Sequence, residues 1–174
     1  MVLEGDRLIL GTPRGGHFEW QRVPLNDDAT SCTTSDSELR QTLLGSWRLI
    51  SNRFDVDSTV FKPLGDDPQG YLVYTPDGHV IVQMATRAER DWRGPEVLEL
   101  PGTQLMAALG FFAYCGTVEV RDGQAVHRVE FGILPSWSGR VEPRSVTLDG
   151  ERLILFAPSG SRNEWQRVHS AEPV

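Results

Sequence analysis

His127 is the side chain in this sequence best placed to do chemistry. It falls in the run AVHRVEFGI at 125–133, which follows Asp122-Gly123 and the run AYCGTVEVR at 113–121. Asp-Gly between two alternating runs predicts a tight hairpin, and strand side chains alternate between faces. One face then carries Tyr114, Gly116, Val118, Val120, Ala125, His127, Val129 and Phe131. The other carries Thr117, Glu119, Arg128 and Glu130. The apolar face must be the interior, so His127 points inward with Tyr114 near it. Burial there would hold the imidazole neutral and poised for proton transfer. The plainer role is a core histidine bonded to Tyr114 or to a backbone carbonyl.

Arg144 shares a strand face with Val146 and Leu148. It would bind a carboxylate, phosphate or enolate if inward, or sit in solvent at a rim. Tyr71, Tyr74 and Gln83 lie on a second hairpin whose apolar split is unclear, so each stays a candidate for either side. Trp137 follows Pro135 and would be a stacking wall or plain packing. The ligand-binding candidates are therefore Tyr71, Tyr74, Gln83, Tyr114, Val118, His127, Val129, Phe131, Trp137 and Arg144. If the protein is an enzyme, His127, Tyr114 and Arg144 are the catalytic candidates. Metal binding is not expected, because His17, His79, His127 and His169 lie far apart and no pair has ligand spacing. Gly15-Gly16 sits in a hairpin turn and not before a helix, and no Gly-x-Ser-x-Gly elbow occurs. No cofactor is expected.

The elements that must hold these residues are short strands with local turns. A short helix is expected over Ser37–Leu44, capped by Asp36 or Ser37. Strands follow at Trp47–Phe54, Thr59–Lys62, Gly70–Thr75 and His79–Met84, the last two joined by Pro76-Asp77-Gly78. Ala85–Pro101 reads as a loop, and Thr103–Phe112 as a short lid helix. Ala113–Arg121, Ala125–Ile133, Arg144–Leu148, Arg152–Ala157 and Glu164–Val168 complete the series. Local antiparallel connections predict an all-β, up-and-down barrel of about eight strands. A barrel of that size either fills with side chains or holds one small ligand.

Residues 1–23 and 146–168 align without a gap at an offset of 145. Thirteen of those 23 pairs are identical, including Arg7-Leu8-Ile9-Leu10 with Arg152-Leu153-Ile154-Leu155 and Glu19-Trp20-Gln21-Arg22-Val23 with Glu164-Trp165-Gln166-Arg167-Val168. The expected organisation is a partial repeat over 1–23, a Ser-, Thr- and Asp-rich linker over 24–37, a barrel over 38–168 and a tail over 169–174. Because the two hairpins are so alike, a homodimer by hairpin exchange is also expected.

The 174 residues are 39% apolar and 24% charged, a globular composition. The net charge of −7 opposes nucleic-acid and anionic-membrane binding, and no apolar run reaches membrane-spanning length. Met1 is followed by Glu4, Asp6 and Arg7 and no long apolar segment, so a cytoplasmic location is the expectation. Cys32 and Cys115 are expected as reduced thiols.

Gly45-Ser46-Trp47, followed by Arg48-Leu49-Ile50, resembles the G-x-W opening strand of lipocalins. The chain further reads LLGSWRLIS at 43–51, KPLGDDPQGYLVYTPDG at 62–78, YCGTVEV at 114–120, HRVEFGILPSWSG at 127–139, DGERLILFAP at 149–158 and WQR at 165–167. In that order these segments resemble the bacterial and fungal lipocalin-like domain family, over about 43–168. The resemblance implies a lipocalin-like barrel with Arg167 stacked on Trp47 across its closed end. Phe131 stands where the family often has glycine, and would fill cavity volume. No uniform activity comes with the resemblance. Two functions compete. One is a barrel binding a small hydrophobic molecule. The other is a cofactor-independent isomerase or cyclase acting on a polyketide- or terpenoid-like metabolite, with His127 as base or acid and Arg144 or a tyrosine on an enolate oxygen.

Overall fold

The computed structural model describes residues 2–11, 17–22, 34–56, 59–87 and 110–169. Three strands, β1 (Val2–Glu4), β2 (Arg7–Gly11) and β3 (His17–Gln21), form one small sheet. Helix α1 (Thr34–Leu43) follows, then β4 (Gly45–Val56), β5 (Thr59–Phe61), β6 (Pro68–Tyr74), β7 (His79–Thr86), β8 (Phe111–Arg121), β9 (Gln124–Gly132), β10 (Val141–Asp149), β11 (Arg152–Phe156) and β12 (Ser161–Arg167). A single 3-10 turn, Pro135–Trp137, separates β9 from β10.

Each strand from β6 to β12 pairs antiparallel with the next, β4 pairs with β6, and β12 pairs back onto β4. The sheet is thereby closed into an eight-stranded up-and-down barrel, with β5 an extra edge strand on the end of β4. The β8–β9 turn shows why the sequence signal was strong. Asp122 and Gly123 both take positive φ, 52° and 71°, as a two-residue hairpin matching the strand twist requires.

One end of the barrel is sealed by α1. The Trp47 indole donates to the Leu43 carbonyl at 2.8 Å. The Arg167 guanidinium lies 4.0 Å over the Trp47 ring and donates to the carbonyls of Leu44 and Thr42 at 3.0 and 2.6 Å. Together these groups satisfy the carbonyls a helix leaves unpaired at its C-terminus. The helix begins three residues before its expected start, so Asp36 lies inside it and not at a cap. Its buried carboxylate instead accepts the backbone N–H groups of Asp122 and Gly123 at 3.1 and 2.9 Å, tying α1 to the β8–β9 turn.

Most expected strands extend by one to three residues. Phe111 and Phe112, expected in a lid helix, lie in β8; the rest of that segment before Gly110, and the expected loop beyond Arg87, fall outside the described residues. Cys115 is a free thiol, and Cys32 falls outside the described residues. Among the described residues no helix is long and apolar enough to cross a membrane.

The small sheet repeats the barrel's closing hairpin in register as well as in sequence. Leu3↔Leu8, Leu8↔Trp20 and Ile9↔Glu19 correspond, 145 residues on, to Leu148↔Leu153, Leu153↔Trp165 and Ile154↔Glu164. Burial differs: Trp20 is 48% exposed and Trp165 1%.

Candidate ligand cavity

The barrel core leaves a cavity of about 450 Å3, within the size range of small-molecule sites. Leu72, Val82, Met84, Leu155, Phe112 and Trp137 give it a mostly apolar wall. Away from α1 the wall ends in Trp137, Arg140 and Ser159, of which Arg140 and Ser159 are exposed. Trp137 is held there by Phe112 at 4.8 Å between ring centres and by the Arg140 guanidinium 5.3 Å over its ring.

Three buried side chains from three strands meet at one wall. Tyr74 on β6 places its hydroxyl 2.8 Å from His127 Nε2, and Tyr114 on β8 places its own 2.7 Å from His127 Nδ1. Tyr74 has no other hydrogen-bond partner among the described residues, so its hydroxyl donates to Nε2. The imidazole then carries its hydrogen on Nδ1 and donates to Tyr114. This leaves the Tyr114 hydroxyl hydrogen free to donate again, and Tyr114, unlike Tyr74, lines the cavity. With that tautomer the chain of bonds runs from Tyr74 to Tyr114, a residue of the cavity wall.

Burial sets the charge state of every member. Desolvation, with the nearby Arg144 cation adding to it, lowers the His127 pKa to about 3, so the ring is neutral. Desolvation raises the Tyr114 pKa to about 12, with Arg144 pulling the other way, and raises that of Tyr74 well above its ordinary value. Both phenols stay protonated donors. Arg144, buried on β10, is paired with Glu142 at 3.0 Å and also donates to the Pro143 carbonyl at 3.1 Å. Glu142 lines the same cavity, so this pair is close to neutral as a unit.

The structure brings together Tyr74, Tyr114, His127, Arg144 and Trp137. Val118 and Val129 pack in the core without lining the cavity. Three expectations are corrected. Tyr71 is 53% exposed and Gln83 is also exposed, both outward on the β6–β7 hairpin. The pairing Trp47↔Leu72 explains this, since it fixes Leu72 inward beside the buried Trp47 and so turns Tyr71 out. Phe131 is 66% exposed. The partner of Cys115 is Phe131 and that of Gly116 is Val129, so Glu130 is an extra residue. That bulge reverses the alternation beyond Val129 and turns Phe131 to the outer surface. Phe131 therefore takes no cavity volume.

His127, expected as a base or acid, is enclosed between the two tyrosines. Both ring nitrogens are occupied by tyrosines, and a pKa near 3 makes the ring a weak base at neutral pH.

Sequence reasoning missed Asn52, Asn163 and Trp165, which form another part of the wall. Trp165 pairs with Leu49 and Glu164 with Ser51, leaving Ile50 as a bulge on β4. This shifts the inward set from Trp47 and Leu49 to Asn52 and Phe54. Strict alternation would have placed Asn52 outside. Among the described residues no group of three or more His, Cys, Asp or Glu could hold a metal ion.

A closed antiparallel barrel of eight strands, a G-x-W opening strand, and an arginine from the last strand stacked on that tryptophan define a lipocalin-like protein. The sequence pattern of the lipocalin-like domain family matches residues 44–171, and the chain belongs to that family. No curated protein matches the chain. Among solved structures it is similar to the lipoprotein YedD from Klebsiella pneumoniae subsp. pneumoniae, at 14% identity over 75% of each chain and a TM-score of 0.35. That likeness is too distant to carry an argument.

Proposed function

We propose that the barrel binds a small, mostly apolar molecule and holds one of its carbonyl oxygens at Tyr114 and Arg144. The observation that carries this reading is the directed chain Tyr74–His127–Tyr114, which ends at a donor beside Arg144 on a mostly apolar cavity wall. A neutral carbonyl fits better than a carboxylate, because Glu142 already compensates Arg144 and would repel a second anion. Native mass spectrometry of the protein from its own host, followed by extraction and identification of the bound compound, tests this. A carbonyl-bearing apolar compound near unit stoichiometry, lost on Tyr114→Phe, is the expected result. A compound without a carbonyl oxygen, or retention unchanged in Tyr114→Phe, would overturn it.

The same donors favour a second reading, the cofactor-independent isomerase or cyclase. Tyr114 and Arg144 polarise a carbonyl as negative charge develops on its oxygen, while the wall folds the substrate. Isomer or ring products from the extracted compound, formed by the protein and slowed at least tenfold by Tyr114→Phe, would distinguish enzyme from carrier.

A further inference from the structure

We infer that Glu142 takes a hydrogen-bond donor of the ligand, an O–H or N–H close to the carbonyl held at Tyr114 and Arg144. The inference rests on the carbonyl-binding reading above and adds an acceptor beside its donors. Across the β9–β10 pairing Glu142 faces His127 and Arg144 faces Ala125. Both partners are buried within the barrel, and directly opposed residues share a sheet face, so Glu142 and Arg144 both stand on the inner wall. Together with Tyr114 they line the cavity. The three groups are neighbours. Arg144 Nη1 donates to Glu142 Oε2 at 3.0 Å. The Tyr114 hydroxyl is near enough to both that Arg144 favours its ionised form and Glu142 opposes it.

Glu142 has an oxygen to offer. Its Oε2 is taken by Arg144, whereas Oε1 has no hydrogen-bond partner among the described residues. The unmet polar atoms that the packing seals from water are on Asn52, Arg53, Arg162 and Trp165, and Glu142 Oε1 is not one of them. The Glu142 side chain is 21% exposed, and from the inner wall that exposure opens to the cavity. The oxygen is therefore open to water until a ligand fills the space. A ligand that displaces this water and brings no donor leaves a carboxylate oxygen buried and unmet, which is costly. An ionised carboxylate accepts and never donates, so the donor must come from the ligand. A plain ketone answers Tyr114 and Arg144 only, and a carboxylate adds a second anion. A hydroxyl near the carbonyl, or the N–H of an amide, answers all three groups. The ligand class is therefore a neutral hydroxy ketone or amide with an apolar remainder.

Calorimetric titration with matched probes tests this. They are a plain naphthyl butanone, the same ketone with a hydroxyl two carbons from its carbonyl, the amide with an amino group in place of the ketone's methyl, and the ketone with its hydroxyl moved to the far ring. The near-hydroxyl ketone or the amide is expected to bind at least tenfold more tightly than the plain ketone, and whichever gains more assigns the donor as O–H or N–H. The far-ring isomer should show no such gain. Glu142→Gln keeps the size of the side chain and removes its charge. It should cut the gain, and it should let the matching naphthyl carboxylate, which the wild type rejects, bind at Arg144. Loss of packing alone does not produce that exchange of preference. Glu142→Asp, which withdraws the carboxylate by one methylene, should also lower the gain while the carboxylate probe stays rejected, and it serves if the glutamine variant does not fold. Equal binding of the plain ketone and both donor-bearing probes overturns the inference and leaves the carbonyl reading standing. An equal gain from the far-ring hydroxyl, or a gain unchanged in the Glu142 variants, overturns Glu142 as the acceptor. Failure of every probe to bind overturns the carbonyl reading and the inference with it.

Discussion

Acid should destabilise this barrel through His127, by an amount set by its burial. In the folded chain the ring takes up a proton only near pH 3, whereas in the unfolded chain it does so near the ordinary value of about 6.5. Between those values the unfolded state binds more protons, so stability rises with pH across the window and is flat above it. Lowering the pH from 7 to 4 crosses roughly 2.5 units of that window, worth about 3 kcal/mol at about 1.4 kcal/mol per unit. Carboxylates titrate in the same range, and Asp77 is held low by Thr75 and His79, so wild-type acid sensitivity alone does not isolate the histidine. The decisive comparison is with His127→Gln, whose amide both donates and accepts and does not titrate. Urea unfolding at pH 7 and pH 4 should show the wild type losing about 3 kcal/mol more than the variant. Parallel losses would refute the assignment of a buried, neutral imidazole.

Tyr74→Phe removes the donor to His127 Nε2 and leaves a buried nitrogen unmet, so it should cost about 1–3 kcal/mol in denaturant unfolding. It should also weaken retention of the carbonyl compound extracted from the barrel, although Tyr74 does not line the cavity. Arg167→Ala should cost about 2 kcal/mol by thermal or urea unfolding, since it loses the Trp47 contact and two helix carbonyls. Arg167→Lys should recover only part, because an ammonium lacks the planar fork. Hairpin exchange would put Phe18 where Asn163 stands and strand the Asn52 amide, so the chain should be monomeric by light scattering at micromolar concentration. Phe18→Asn should raise the dimer fraction. A wild-type dimer that persists in Phe18→Asn unchanged would refute the exchange argument.

What was legible in the sequence, and what was not, divides at the two bulges. Turn chemistry and alternation are local, so the hairpin at Asp122-Gly123, the strand order, and the inward pair Tyr114 and His127 followed directly from them. The G-x-W strand and the final arginine announced the closed end. A bulge adds one residue to one strand, and alternation counted along that strand then fails beyond it. Phe131 fell past the Glu130 bulge and Asn52 past the Ile50 bulge, so one was assigned to the cavity wrongly and the other was not considered. A signal for the first was present. Gly116 interrupts a strand, and a Cβ there would lie 2.0 Å from the Arg128 carbonyl oxygen. A glycine inside a strand marks such close approaches. For the second the sequence held no comparable mark, because Ile50 is an ordinary strand residue and the shift is visible only in its pairing with β12. The direction of the Tyr74–His127–Tyr114 chain was also beyond the sequence. It depends on Tyr74 having nowhere else to donate, which is a property of the packed interior and not of any residue in the chain.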